Sequence, residues 1–175
     1  MKIEELSRQE YQNYPLESRY KTKFYYHIKV KNKKNISMSI DKKKYLFAQE
    51  KKFKSILFAS HLIVSDVFGM LEKKNLMAVI EGSMDTINNR YVIPNLWVDA
   101  KVRRKKYATE LLGHIEVVAK KKGARAIFVE VSSTNYPAIC FLRKNGYEFN
   151  GFDGSFYSNK DILKKEVKID FVKHL

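Results

Sequence analysis

The segment Leu96–Gly123 constrains the fold of this chain more than any other part of the sequence. It begins at the end of a β-branched and aromatic run, Tyr91–Val98, which is typical of a strand. A basic loop follows, and then apolar residues recur with the period of an amphipathic helix, at Tyr107, Leu111, Leu112, Ile115, Val118 and Ala119. Lysines in the last turn and Gly123 just beyond it end this helix. The segment therefore predicts a strand, a short basic loop and a helix in direct succession.

Further apolar runs lie on both sides of this segment. The predicted strands are Phe68–Glu72, Leu76–Glu81, Ala126–Val131, Tyr147–Phe156 and Glu166–Val172; the first two form a hairpin and the last two a closing antiparallel pair. A second helix is predicted after Thr134-Asn135, with Pro137 in its first turn and Gly146 at its end. This mixed order predicts an α+β (mixed α/β) fold, in which helices flank a central, mostly antiparallel twisted sheet.

The first sixty residues carry weaker patterns. Lys2–Leu6 is predicted as an edge strand, and Tyr20–Val30 as a strand that pairs with Ile36–Ile40. Tyr45–Ala59 is predicted as a helix. The length of 175 residues predicts one domain, residues 1–175, that can bury a core of its own.

Composition limits the class of protein. Hydrophobic residues make up 45% of the chain, and no apolar run reaches the roughly 20 residues that span a bilayer. The start, Met1–Glu5, lacks the apolar stretch of a signal peptide, so we expect a cytoplasmic protein with no membrane partner. The one cysteine, Cys140, cannot form an intramolecular disulfide, and its apolar neighbours predict a buried helix residue rather than a nucleophile.

The formal net charge of +15 attracts nucleic acid, anionic membranes or polyanionic ligands. Lysine runs at Lys42–Lys44, Lys120–Lys122 and Lys164-Lys165 are spread along the chain and are not interleaved with aromatic residues. A lysine-rich, solvated surface is therefore the favoured interpretation, and nucleic acid is the less favoured partner.

The basic loop Arg103–Lys106 joins the predicted strand to the N-terminus of the predicted helix. A helix N-terminus carries unpaired N–H groups and a partial positive charge, a geometry that holds phosphate. Basic side chains in the same loop add attraction for an anion. A diphosphate ligand and an ordinary positively charged loop are both consistent with these residues alone.

This region resembles the GNAT family of N-acetyltransferases. In the family motif a strand ends in valine, and an Arg/Gln-x-x-Gly-x-Gly/Ala loop begins five residues later; the matching positions here are Val98, Arg103, Lys106 and Ala108. The run Val129–Ile139 resembles the family's strand followed by Asn-x-x-Ala, which places Asn135 and Ala138 in that motif. Phe141–Tyr147 resembles the family's Phe-Tyr-x-Lys-x-Gly-Phe segment.

Two later segments narrow the resemblance to a bacterial subgroup that includes streptothricin-type acetyltransferases. They are Gly151–Asp153 and Phe156–Asn159. The resemblance covers about Phe68–Val172 well and the first sixty residues poorly. It implies a GNAT-like fold and acetyl-CoA as the ligand.

The resemblance also implies which residues contact acetyl-CoA. The loop amides would bind the pyrophosphate, the strand before the loop would pair with the pantetheine arm, and a backbone N–H near Trp97 or Val98 would polarise the thioester carbonyl. Asn135 would contact the cofactor or cap its helix, and the two roles are compatible. The implied cofactor residues are Leu96, Trp97, Val98, Arg103, Arg104, Lys105, Lys106, Tyr107, Ala108, Thr109, Asn135, Ala138 and Phe141.

Three positions depart from the family pattern. Arg104 and Lys106 stand where glycines are common, because the backbone there must approach phosphate closely. Leu142 stands where many relatives have a tyrosine that protonates the departing thiolate, and leucine cannot donate a proton. Either another group supplies that proton, or the thiolate leaves unprotonated, or the protein binds without turnover.

An amine acceptor also requires a general base. The candidates are Glu81, at the end of one predicted strand, and Glu130, which would share a strand face with Phe128 and Ser132 and so lie in a partly apolar pocket. Each is alternatively a paired structural carboxylate. Tyr157 and Asp153 are weaker candidates for acid work or substrate contact.

The predicted function is transfer of an acetyl group from acetyl-CoA to a primary amine of a small molecule or protein, with no metal. The alternative is a catalytically degenerate GNAT-like module that binds CoA or nucleic acid. The charge of +15 disfavours highly cationic acceptors at long range, although local acidic residues can offset this. The acceptor and the oligomeric state do not follow from the sequence.

Overall fold

The computed structural model describes residues 1–32 and 34–175. Its strands are β1 (Glu4–Glu5), β2 (Pro15–Asn32), β3 (Ile36–Ile56), β4 (Asp66–Glu72), β5 (Asn75–Asp85), β6 (Arg90–Val98), β7 (Ala126–Ser132), β8 (Glu148–Asp153) and β9 (Lys168–His174). Its helices are α1 (Arg8–Tyr11), α2 (Tyr107–Lys121), α3 (Tyr136–Lys144) and α4 (Asp161–Lys164), and Ala100–Val102 forms one 3-10 turn. In the part of the chain described, no helix has the length and apolar character to cross a membrane.

The chain divides into two compact units. The first contains residues 1–18, 53–129 and 173–175, and the second contains residues 19–52 and 130–172. Strands β1, β4, β5, β6 and the first part of β7 lie side by side in the first unit, in that order. The pairs are antiparallel except that of β6 with β7, which is parallel. The expectation of a single domain over residues 1–175 remains a prediction.

Helix α2 packs on the sheet of the first unit. Its buried residues are Leu111, Leu112, Ile115 and Ala119, the stripe that the apolar period predicts. His114 meets the ring of Phe68 on β4 edge to face, with ring centroids 4.5 Å apart. In a hydrophobic cluster of the same unit, the N-terminal segment packs against β4 and β5. The buried residues of this cluster are Leu6, Tyr11, Leu16, Leu57, Phe58, Val67, Leu76 and Val79.

The ladder around β6 is irregular where the site begins. The β5–β6 register shifts between Glu81 and Ser83, opposite a segment of β6 that contains Pro94, which has no N–H to donate. The parallel pairing with β7 joins Arg90–Ile93 to Ala126–Val129 and ends there. Strand β6 therefore continues to Val98 beyond its last pair with β7.

The second unit contains the remaining part of β7, then β9, then β8, in that order, with β9 and β8 antiparallel. On β9, Ile169 and Phe171 are buried, whereas Lys168 and Asp170, which alternate with them, are half-buried. Helix α3 begins at Tyr136 and ends at Lys144, close to the predicted limits. The mixed α/β fold with a mostly antiparallel sheet flanked by helices is therefore confirmed.

Strands β2 and β3 form a separate two-stranded sheet, most of which lies in the second unit. The predicted helix over Tyr45–Ala59 is wrong, because most of that segment continues β3 to Ile56. Tyr45 stacks on Tyr25 of β2, with ring centroids 4.4 Å apart. Cross-strand aromatic pairs of this kind stabilise a sheet and override weak local helix preference.

Candidate functional site

The loop after β6 is held by its own side chains. Asp99 Oδ1 accepts a hydrogen bond of 2.7 Å from the Lys101 amide, and this starts the 3-10 turn. Val102, the last residue of this turn, is buried, and Arg103 Nε donates to the Val98 carbonyl at 3.3 Å. The chain is thereby brought back against the end of β6, immediately before α2.

Arg104 and Lys106 both have left-handed backbone conformations, with φ of 66° and 69°. These are the two positions at which the sequence has a basic residue where relatives commonly have glycine. A left-handed conformation costs a residue with a Cβ about 1–2 kcal/mol. The loop therefore follows a path that glycine would adopt more easily, and it does so with cationic side chains.

Helix α2 begins at an exposed and strongly basic end. The Lys106 carbonyl accepts from the amides of Thr109 and Glu110, and the Lys106 side chain makes no capping hydrogen bond. First-turn amides of a helix have no intrahelical acceptor, so those of Tyr107 and Ala108 point toward the loop. The four basic side chains around them, Arg103 to Lys106, are all exposed. Amides, helix dipole and cations together suit a diphosphate.

The end of β6 carries Leu96, Trp97 and Val98, all half-buried. The Trp97 side chain packs against the core of the first unit, and its indole Nε1 donates to the Glu17 carbonyl at 2.9 Å. These contacts hold the Trp97 side chain in place and leave the β6 backbone as the element that could pair with an extended ligand.

Glu81 is completely buried in the first unit. Its Oε1 accepts from the Phe58 amide at 3.0 Å and from Ser65 Oγ at 2.9 Å, and its Oε2 accepts from Asn95 Nδ2 at 2.7 Å. Asn95 Nδ2 also donates to the Ile56 carbonyl. Hydrogen bonds from three neutral donors offset the free-energy cost of burying this carboxylate. The same hydrogen bonds connect β5 to β6 and to the segment after β3.

Asn135 caps α3 in the second unit. Its Oδ1 accepts from the Ala138 amide at 3.3 Å, which leaves the side-chain Nδ2 as a donor for other partners. Ala138 and Phe141 are half-buried on the same helix. Leu142 is buried and belongs to the core. The expectation that Cys140 is buried is wrong, because it lies on the exposed face of α3.

Among the described residues of β7, Glu130 is the one that is exposed, with 41% of its side chain accessible to solvent. The expected burial in an apolar pocket is therefore wrong, although Phe128, two residues earlier on the strand, is buried. Lys168 Nζ donates to Glu130 Oε1. Burial by itself lowers the pKa of Lys168, but the hydrogen bond and charge of Glu130, helped by Asp170 and Asp153, raise that pKa overall.

Glu166 is at the centre of a polar cluster in the second unit that the sequence pattern does not reveal. Ser132 Oγ and Thr134 Oγ1 both donate to Glu166 Oε1 at 3.0 Å, and Lys51 Nζ donates to Oε2 at 2.8 Å. Burial alone raises the pKa of Glu166, but Lys51, Thr134 and Ser132 together hold it below its usual value. The Tyr20 hydroxyl lies 2.8 Å from Thr134 Oγ1.

The charge of Glu166 also acts on three tyrosines of the same unit. Burial is the main cause that raises the pKa of Tyr20, and it raises the pKa of Tyr45 and of Tyr157 to about 12. The negative charge of Glu166 adds to each of these shifts. All three hydroxyls therefore stay protonated at neutral pH, which leaves Tyr157 able to donate a proton.

The sequence pattern predicts Tyr157 as a candidate for acid work or substrate contact. It identifies Glu166 only as the first residue of the last predicted strand. One signal was available, because the hydroxyl residues Ser132 and Thr134 directly follow an apolar strand. Nothing local links them to Glu166, which is 34 and 32 residues away along the chain.

The second unit also contains a cavity of about 570 Å³. Apolar side chains such as Ile139 and Phe149 line it, together with Arg143, which donates to the Tyr26 hydroxyl at 3.1 Å. Among the described residues, the predicted catalytic and cofactor positions are not part of its lining.

Comparison with known proteins connects these features to one family. The sequence model of the acetyltransferase (GNAT) family matches residues 36–147, well over half of the chain. A streptothricin acetyltransferase of Streptomyces lavendulae is 33% identical over 70 residues, which cover 40% of this chain and 37% of that protein. The chain thus matches little more than a third of the length of this curated relative.

Solved structures share the architecture over nearly the whole chain. Nourseothricin acetyltransferase has a TM-score of 0.76 at 16% identity, over 99% of this chain and 97% of the other. A protein assigned as a streptothricin acetyltransferase of Bacillus anthracis, solved with acetyl coenzyme A, has a TM-score of 0.72 at 19% identity, over 99% and 96%. These structures confirm the GNAT-like fold, and the family match over residues 36–147 shows that the chain belongs to the acetyltransferase (GNAT) family.

Proposed function

We propose that this protein transfers the acetyl group of acetyl-CoA to a primary amine. The observation that carries the proposal is the loop before α2, where Arg104 and Lys106 adopt glycine-like backbone conformations beside a helix N-terminus without a side-chain cap. A diphosphate-bearing ligand fits this loop because amides, helix dipole and four cations converge there. Coenzyme A carries such a diphosphate.

The other contacts that we propose with the cofactor come from the end of β6 and from the start of α3. The backbone of Leu96, Trp97 and Val98 pairs with the pantetheine arm, and one of its N–H groups polarises the thioester carbonyl. Asn135 contributes its Nδ2, since its Oδ1 is used by the helix cap. Supporting this part are the end of the β6–β7 ladder at Ile93 and the half-buried positions of Ala138 and Phe141.

Acetyl-CoA supplies an acyl carbon that an amine nitrogen attacks as the carbon–sulfur bond breaks. The base that accepts the amine proton is assigned to Glu130 in preference to Glu81. Glu130 is partly exposed, whereas Glu81 is completely buried and its oxygens accept from donors that hold β5, β6 and the segment after β3 together. Leu142 cannot protonate the leaving thiolate, and Tyr157, which remains a phenol at neutral pH, is the proposed proton donor.

The proposed acceptor is a primary amine of a small molecule, with a protein amine as the second choice. The relatives named for streptothricin and nourseothricin favour amine-bearing compounds of that type as the first to be tested. The long-range repulsion expected from a charge of +15 can be offset locally by carboxylates such as Glu166.

Two measurements test the proposal. Acetyl-CoA at a hundred times its dissociation constant is expected to raise the melting temperature by about 5–10 °C, and ATP to raise it less. Thiol release should follow on adding streptothricin or simple primary amines. A shift without thiol release would instead support a binding module, and no shift at millimolar acetyl-CoA would exclude the cofactor assignment. Salt-dependent binding of RNA would favour the nucleic-acid alternative.

The base is tested by substitution. Glu130→Gln is expected to lower kcat by about a hundredfold at neutral pH while leaving acetyl-CoA affinity unchanged, because a general base typically contributes 10²–10⁴-fold. Glu148→Gln, an exposed carboxylate in the same unit, serves as the matched control and keeps wild-type turnover. Equal turnover in both variants would remove Glu130 from the mechanism.

A further inference from the structure

We propose that Glu166 forms a binding subsite for an alkylammonium group of the acceptor, and that Lys51 occupies this subsite when no acceptor is bound. The inference rests on the proposed function, because it concerns how the amine substrate is recognised. It adds a residue, Glu166, and a regulatory occupant, Lys51, that the sequence resemblance does not assign.

The two oxygens of Glu166 have different partners. Oε1 is held by two hydroxyl groups of the protein, Ser132 Oγ and Thr134 Oγ1, both at 3.0 Å. Oε2 is bound by the Lys51 ammonium at 2.8 Å. The hydroxyl pair orients the carboxylate, and the remaining oxygen is directed at a primary alkylammonium. Lys51 thus acts as an internal example of the group that the subsite binds.

The surroundings suit a cation on a short apolar stem. Tyr20 lies beside the hydroxyl pair that holds the carboxylate, and aromatic rings attract ammonium groups while excluding part of the water. The Tyr20 hydroxyl continues the hydrogen-bonded chain through Thr134. A carboxylate oriented by two hydroxyls, with Tyr20 beside them, is therefore equipped to select a charged amine over a neutral one.

The Lys51–Glu166 pair is exchangeable. About a third of each side chain is exposed, 38% for Lys51 and 33% for Glu166. Ion pairs with this much exposure contribute little to stability, so another ammonium can displace Lys51 at small cost. Lys51 lies on β3 and can turn its flexible stem into solvent when an acceptor enters. The acceptor and Lys51 therefore compete for the same oxygen.

The test measures equilibrium binding without acetyl-CoA, so it does not depend on turnover. The cationic probe is N-α-acetyl-lysine methylamide, and the neutral probe of similar shape is N-α-acetyl-norleucine methylamide. Calorimetry compares the wild type with Lys51→Met and Glu166→Gln. The controls are Lys52→Met and Glu50→Gln, which are exposed neighbours on the same strand.

Glu166→Gln is expected to bind the cationic probe about tenfold more weakly than the wild type, because one charge-assisted hydrogen bond is lost. Lys51→Met is expected to bind it about threefold to fivefold more tightly, because the probe no longer has to displace the Lys51–Glu166 ion pair. The neutral probe should bind equally weakly to all variants. The controls should match the wild type.

Equal affinity of the wild type and Lys51→Met for the cationic probe would overturn the inference, and so would equal binding of the two probes. Lys51→Met tests the competition for Glu166 even if Glu166→Gln fails to fold. Lys51→Met could gain affinity for the cationic probe while turnover assays show no acetylation of any amine. That result would support the ammonium-binding subsite and contradict the proposed acetyl transfer.

Discussion

Asn95 Nδ2 donates a hydrogen bond of 2.7 Å to Oε2 of the completely buried carboxylate Glu81. The two residues face each other across β5 and β6, next to the point where the ladder shifts register. The same Asn95 nitrogen donates to the Ile56 carbonyl, so one amide group joins three chain segments. The pair holds the irregular part of β6 in place just before the strand reaches Leu96–Val98.

Asn95→Ala is expected to lower the free energy of unfolding by about 2–3 kcal/mol, because it leaves a buried carboxylate oxygen without its donor. Urea unfolding measures the loss. Asn150→Ala, an exposed asparagine on β8, should change stability by less than about 0.5 kcal/mol. If the two variants lose the same small amount, the Asn95–Glu81 contact does not stabilise the fold.

Arg104→Gly and Lys106→Gly are each expected to raise the free energy of unfolding by about 0.5 kcal/mol. Glycine removes about 1–2 kcal/mol of left-handed strain, and the greater entropy of the unfolded glycine chain cancels about 0.4–1 kcal/mol of this gain. Both variants should bind CoA more weakly, because a cation is lost beside the diphosphate.

Lys105→Ala separates these two effects, since Lys105 is not among the residues with positive φ. It should weaken CoA binding without the gain in stability. Urea unfolding without ligand, together with calorimetric titration of CoA, measures both quantities. A drop in stability on either glycine substitution would contradict the strained conformation of the loop.

Asn135 is expected to show two separable roles. Asn135→Ala should cost about 1 kcal/mol of stability through the lost helix cap, and it should also weaken CoA binding. Asn135→Ser restores a capping oxygen and so should recover most of the stability, while CoA binding stays weak because the amide Nδ2 is absent. Full CoA affinity in Asn135→Ser would confine Asn135 to its capping role.

Glu166 should make stability depend on pH in the acid range. Its pKa is held below the ordinary value of 4.5, so the unfolded chain takes up this proton first as pH falls. The stabilisation by the ionised carboxylate is complete above that value and is lost as pH falls through the lower folded pKa.

The measurement is urea unfolding of the wild type and Glu166→Gln from pH 7 to pH 3. The difference between their unfolding free energies should shrink over the acid part of this range. A difference that does not change with pH would show that Glu166 has the same pKa in the folded and unfolded chains.

Much of the fold could be read from short-range patterns. The period of Leu111, Leu112 and Ile115 predicts α2, and the apolar run Ala126–Val131 predicts β7, because each pattern depends only on which side of one element faces the core. The basic loop was found in the same way, through its place between a strand and a helix.

Two of the predictions that failed needed a partner distant in sequence. Tyr45 was assigned to a helix, but its stacking on Tyr25 belongs to a two-stranded sheet. The sequence predicts Glu130 in an apolar pocket, but the residue is exposed and pairs with Lys168, 38 residues away along the chain. Side-chain direction in a strand depends on register, and pairing decides the register.

By itself, the sequence determined the strand, the basic loop, the capped helices and the family to which the chain belongs, since these depend on neighbouring residues. Only the tertiary structure decided that Arg104 and Lys106 take left-handed conformations, and that Glu166 meets Lys51, 115 residues away along the chain. The physical reason is that the polar cluster depends on contacts between distant segments, and hydrophobic periodicity carries no information about which distant polar groups folding brings together.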